Sequence, residues 1–331
     1  MRLPEPEASA AAADAAGNPR PSPRFDQSFA GLRRDDQRVA NVAWRLETAN
    51  VALCSDVAPL NGLVLQSALE YAPRVRAEAE AAFGLGDRPA VEAVAAGSPA
   101  AVAGLQPGDI LIAVAGATLP VPAKPPGPDN RPKSDAPVAD AERELADVLA
   151  AGPASVTVLR NGAPLSVTLR ARSGCAYPML VFPAAQRQAA ADGRQVFIST
   201  AMVSFADTDG RLALVLGHEL AHNVLHHRER LDRAGFARSI LGALGSSPSS
   251  LVLTEKEADY VGLYLTARAG YDISRAPDFW RSAPDGADAL DWAHPPTAER
   301  VAALAATRDE IDRKRALGEP LIPQFIPGAG P

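Results

Sequence analysis

The run GHELAHNVLHHRER, residues 217–230, decides how this chain is read. Apolar residues recur around it at helical spacing, which predicts one helix over 211–231. His218 and His222 are four apart, so both imidazoles project from the same face, one turn apart. Neutral imidazole binds zinc at about 2.0–2.1 Å. Glu219, between them, can reach water beside such an ion without being a ligand. The chain has only five histidines, so two of them at this spacing is a pointed observation. The bland alternative is a solvated helix face that happens to carry two of them.

A hydrolytic zinc site needs a third protein ligand and an open fourth position. A third histidine six residues after His222, with a glycine midway, is not present: Leu225 and Arg228 stand at those places. A later acid is the remaining common choice. In TEKEADYVG, a second predicted helix over 254–269, Glu255 and Asp259 lie one turn apart. Glu255 is the candidate ligand, and Asp259 can accept a hydrogen bond from the outer nitrogen of a ligating histidine. Glu257 points elsewhere on that helix. The alternative here is an acidic first turn facing solvent.

HELAH, then EKEAD beginning 33 residues after His222, then AHPPTAERV at 293–301, together resemble the M48 family of zinc metallopeptidases. The likeness spans roughly residues 176–310. It implies one Zn2+ per chain held by His218, His222 and Glu255, with Glu219 as general base and Asp259 behind a ligand histidine. It implies that His294 faces the zinc cleft, where it helps the oxyanion or covers the open position, a loop-capping histidine being the alternative, and that Arg300 is an ion-pair partner for an active-site acid. His226 and His227 read as surface or packing residues, although His227 matches a histidine frequent in the family. Gln188 stands where many relatives carry Asn, which leaves the substrate-side edge in doubt. RQVFIST, residues 194–200, reads as an edge strand on which an extended peptide could add. The apolar, Gly/Ser-rich run at 236–253 reads as a lid or an ordinary loop.

Upstream, AAFGLGDRP followed by GSPAAVAGLQPGDILIAVAG resembles a bacterial-protease PDZ domain. The likeness makes Phe83, Gly84, Leu85 and Gly86 the turn that would hold a peptide carboxylate. A helix ending at Gly152 and a hairpin turning at Asn161-Gly162 follow. A small β domain used as a spacer is the plainer alternative. Site-2 membrane proteases also join the two motifs but need membrane spans, and PDZ-bearing glycyl aminopeptidases usually carry the module after the catalytic domain.

The expected organisation is α+β. An Ala/Pro-rich disordered tail covers 1–34, a helical segment 35–80, and the PDZ domain, β-barrel-like, 81–173, with an unordered Pro-rich insertion at about 118–138. A mainly helical, zincin-like domain with a small sheet covers 174–316, and a C-terminal tail 317–331. A formal net charge of −6 with no basic stripe argues against a nucleic-acid partner. No run approaches the roughly 18 apolar residues of a membrane span. Cys54 and Cys175 are far apart and in no CxxC pair, so a metal knuckle is not expected. They read as two separate thiols or, by preference, as one disulfide, which would point to an oxidising compartment. Residues 1–25 show no secretory signal. These readings converge on a zinc endopeptidase for unfolded or misassembled proteins, with a PDZ module that recruits or gates substrate. The expected place is the periplasm or bacterial envelope, in protein quality control, with the cytoplasm left open. The reading of a different class is a peptide-binding adaptor or chaperone whose zinc is latent or structural.

Overall fold

The computed structural model describes residues 29–124, 129–233, 248–282 and 297–324. The chain is α+β and divides into two compact units. One holds residues 29–51 and 56–176; the other holds residues 52–55 and those from 177 onward.

The first unit opens with α1 (Phe29–Ala49), six residues earlier than the sequence pattern suggests. Its Val39, Val42, Ala43 and Leu46 are buried. Gln37 on α1 donates to the carbonyl of Val94 and accepts from its amide, while Asn41 accepts from Ala96. These bonds fasten α1 to β3 (Ala90–Val94). The helix therefore belongs to the PDZ-type unit rather than to a separate segment.

Residues 55–80 are not a helical connector. They include β1 (Val57–Leu60) and β2 (Leu63–Gln66) before α2 (Pro73–Phe83). β1 pairs with β8 (Arg172–Cys175), tying the entry of this unit to its exit. The main sheet runs β2-β3-β4-β6-β7, with β5 (Ala117–Thr118) on β4 (Ile110–Val114). β6 (Ala154–Arg160) and β7 (Ala163–Leu169) are the expected hairpin. Asn161 and Gly162 both have positive φ, 52° and 78°, as a twist-matched two-residue turn requires. The helices α3 (Pro99–Val102) and α4 (Ala136–Ala151) complete the unit, and α4 ends at Gly152. Val91, Leu111, Val114, Val156 and Val158 are wholly buried against α4's Leu145 and Leu149. Each such side chain contributes about 1.5–3 kcal/mol relative to exposure.

The described parts of the Pro-rich insertion are ordered, contrary to expectation. Arg131 donates to Asp87, Asp129 and the carbonyl of Ala123. The buried Arg76 of α2 donates to the carbonyls of Ala68, Tyr71, Arg131 and Pro132. Composition alone could not show this, because Arg76 and Asp87, which hold the insertion, lie 55 and 44 residues from Arg131 in sequence.

The second unit has a three-stranded sheet, β10 (Ala189–Ala191), β11 (Val196–Ser199) and β9 (Met179–Phe182), in the order β10-β11-β9. α5 (Thr200–Phe205) follows. α6 (Asp209–Val224) starts on Thr208, whose hydroxyl accepts from the Arg211 amide. The single helix expected over 211–231 is in fact two. His226 has φ 50°, which stops α6 and lets α7 (His227–Arg233) start in a new direction. α8 (Pro248–Arg268) crosses α6; α10 (Thr297–Ala316) packs against α8, and α9 (Ala276–Ser282) packs against α10 and touches α6. Residues 317–324 do not trail free. Leu321 and Ile322 accept from Arg268 and Lys314, and the Gln324 amide donates to Tyr260. The expected lid region through residue 247 lies outside the described residues, as does the tail through residue 28; Pro248–Leu253 belongs to α8. No helix among the described residues is long and apolar enough to cross a membrane.

Candidate metal centre

α6 and α8 cross unusually closely because glycine sits on both sides. A Cβ on Gly217 would fall 2.5 Å from Thr266 Oγ1, and one on Gly262 would fall 2.8 Å from the Cα of His218. Thr266 adds a bond across the crossing, from Oγ1 to the carbonyl of Ala213 at 3.0 Å. This approach brings the acidic face of α8 against the two histidines of α6.

His218, His222 and Glu255 converge. The two Nε2 atoms are 3.2 Å apart; Glu255 Oε2 is 3.2 Å from His218 Nε2, and Oε1 is 3.5 Å from His222 Nε2. A tetrahedron with bonds of 2.0–2.1 Å has edges of about 3.3–3.4 Å. The spacing and the donor set, two imidazoles and a carboxylate, fit zinc. The charges agree. Burial works against ionising Glu255, but hydrogen bonds from His218 and His222 outweigh it and hold the carboxyl well below 4.5. Burial also works against a charged His218, yet Asp259 and Glu255 push it up to about 10. The surroundings thus favour positive charge where the three donors meet.

Asp259 Oδ1 lies 3.0 Å from His218 Nδ1, the nitrogen facing away from that point. Arg300 on α10 donates to the same oxygen from Nε at 3.2 Å and from Nη2 at 2.7 Å. Burial raises the Asp259 pKa, but Arg300 and His218 more than offset it and lower it. Glu219 is partly exposed beside the donors. Burial raises its pKa above 4.5, opposed by the two histidines.

Trp280 on α9 escaped the sequence reading. Its ring lies 5.9 Å from that of His218, and the Arg300 guanidinium stacks 3.8 Å above it. A lone Trp in PDFWRS carries no periodic signal that would mark it. Glu257 was also undervalued: it accepts from His227 Nε2 at 2.9 Å and from Arg230 at 2.6 Å. His227 is buried, and its Nδ1 sits 2.8 Å from His222 Nδ1. Burial is the main reason its pKa falls to about 4, Glu257 opposing.

Other expected positions fall elsewhere. His294 lies outside the described residues. RQVFIST is not an edge: its strand β11 is the middle one, and β10 and β9 are the outer strands. Gln188 immediately precedes β10, its carbonyl accepting from the Ser199 amide. Phe83 closes α2 and packs edge-on against Phe29, and Gly84 caps the helix at φ 65°. The turn 83–86 leads to β3, which has β2 and β4 on its two sides. Both cysteines are disulfide-bonded, and the chain has only Cys54 and Cys175.

Two histidines on one helix, a carboxylate from a crossing helix and a further carboxylate between the histidines define a metallopeptidase type of centre. The comparisons agree. Residues 186–246 and 252–308 match Peptidase family M48, and residues 90–119 match the PDZ domain: the chain carries an M48 peptidase domain with a PDZ domain upstream. It is also similar to the mitochondrial metalloendopeptidase OMA1 of Schizosaccharomyces pombe, 28% identical over 149 residues, covering 37% of this chain and 44% of that protein. The chain thus matches less than half the length of that curated relative. Among solved structures, it resembles the HtrA-type protease AlgW with decapeptide at 20% identity and a TM-score of 0.25, over 35% of this chain and 30% of that one.

Proposed function

We propose that this chain is a zinc-dependent endopeptidase that cleaves unfolded or misassembled proteins. The observation that carries the reading is the mutual 3.2–3.5 Å spacing of the His218, His222 and Glu255 donor atoms. When bound there, zinc supplies the Lewis acidity that polarises a carbonyl and acidifies water. Glu219 takes the proton from the attacking water and returns it to the leaving amine; a carboxyl that burial raises above its ordinary value is suited to both transfers. Asp259, anchored by Arg300, keeps the outer nitrogen of His218 protonated and the inner one free. Trp280 shields that pair from water.

An extended substrate would add to β10, the outer strand packed beside α6. Backbone pairing favours chains already unfolded, with little side-chain selectivity. The PDZ domain would recruit or gate such substrates. The oxidised cysteines suit an oxidising compartment, which supports the periplasm or envelope as the place of action.

The test compares wild type with Glu219→Gln on unfolded casein, with zinc content measured in both. Equal zinc and a loss of cleavage of at least about 100-fold in the variant are expected. Equal, residual cleavage in both proteins with zinc bound would instead favour a peptide-binding adaptor.

A further inference from the structure

We propose that His227 is a positioning residue: it fixes the tautomer of His222 and so aims that ligand's Nε2 at the metal. The inference rests on the zinc reading given above.

The geometry is a relay of four side chains. His222 Nδ1 and His227 Nδ1 are 2.8 Å apart, so one must donate and the other accept. His227 Nε2 lies 2.9 Å from Glu257 Oε2, an acceptor, so His227 carries its proton on Nε2. Arg230 donates to Glu257 at 2.6 Å and fixes that carboxylate as the acceptor. His227 Nδ1 is then a bare lone pair, and the shared proton must belong to His222 Nδ1. That leaves a lone pair on His222 Nε2, the atom facing His218 and Glu255. His218 obtains the same result from Asp259 and Arg300. The two ligands are therefore set by separate devices.

A local backbone feature makes the second device work. Five residues along a continuous helix, a side chain points about 140° away from its starting direction. His227 could not reach His222 on an unbroken α6. His226, at φ 50°, turns the chain so that His227 comes back beneath His222. Such a conformation is costly for a residue with a side chain and tends to mark functional sites. The Ser55 hydroxyl lies 2.8 Å from His226 Nε2 and braces the turn.

The experiment measures zinc affinity of the full chain by chelator competition for wild type, His227→Phe and His227→Gln. Phe fills the space but cannot accept; Gln can accept from His222 Nδ1 through its amide oxygen. His227→Phe should weaken zinc binding by about 10–100-fold, with His227→Gln within a few-fold of wild type. Equal affinity in all three, or equal loss in both variants, overturns the inference. A second measurement does not depend on either variant folding. In zinc-loaded wild type, 15N NMR should find His222 protonated at Nδ1, His227 at Nε2, and a 15N–15N coupling across the bond between their Nδ1 atoms. A His227 protonated at Nδ1 overturns it. A wild-type protein that binds no zinc removes the metal reading itself, and this inference with it, an outcome distinct from the other two.

Discussion

Gly262 of α8 lies directly against His218 of α6: a Cβ added there would stand 2.8 Å from the His218 Cα and 2.9 Å from the Gly217 carbonyl oxygen. Both neighbours are backbone, so nothing can swing aside, and Gly262→Ala must push the helices apart. The shift acts on the crossing that brings Glu255 and Asp259 to the histidines. We expect overpacking to cost about 1–3 kcal/mol and zinc affinity to drop at least tenfold while helix content survives. Gly210, in the first turn of α6, is the control, since a Cβ there meets nothing nearer than the Asp272 carbonyl oxygen at 3.9 Å. Gly210→Ala should be neutral or stabilising by up to about 1 kcal/mol. Chelator competition and thermal melts of both variants check this; an unaltered zinc affinity in Gly262→Ala would show that the crossing tolerates the extra carbon.

Asp259 is held by Arg300 and in turn holds His218. Asp259→Asn keeps the shape but loses the charge that anchors the imidazole, and zinc affinity should fall about 10–100-fold. Arg300→Met leaves the buried carboxylate without its cation and should cost about 3–5 kcal/mol of stability. Zinc titration of the first variant and denaturant unfolding of the second separate these effects.

The two pairs within the candidate centre were legible because helical periodicity is local: spacing four puts His218 over His222, and Glu255 over Asp259, whatever the rest of the chain does, whereas the meeting of the two pairs depends on the helix crossing. The α+β class and the hairpin at Asn161-Gly162 were legible for the same reason. What failed depended on partners distant in sequence. Strand order made β11 a central strand and moved the free edge to β10. The packing of Phe83 on Phe29 at the end of α2 could not be read from its Gly-rich surroundings. The break at His226 and the value of Glu257 became visible only when the fold brought His227 between Glu257 and His222.

A Cys54–Cys175 bridge, the pairing the sequence favours, would close a loop of more than a hundred residues. On the chain-entropy account such a loop stabilises by about 5 kcal/mol. Wild type should show no free thiol by mass measurement without reductant, and should melt well below its usual temperature after reduction. Cys54→Ser with Cys175→Ser should melt where the reduced wild type does. Two free thiols in unreduced protein would exclude the bridge in solution.

Glu47 on α1 is buried, and burial pushes its pKa from 4.5 up to about 8. Between those values the unfolded chain has lost the proton while the folded one keeps it. The folded state binds more protons, so stability falls as pH rises, by at most about 1.4 kcal/mol per pH unit for one group. The favourable contribution is complete below about pH 4.5 and has been lost by about pH 8. Asp36, raised by burial to about 7, adds to the same slope, with Arg33 opposing. Glu47→Gln removes one proton from this balance without changing the shape. The variant should match wild type near pH 4.5, exceed it in stability at pH 8, and show a shallower decline between. Urea unfolding at half-unit pH steps, followed on the full chain with its disulfide intact, reads the two slopes directly; parallel slopes would mean that Glu47 is ionised in the folded protein at pH 7.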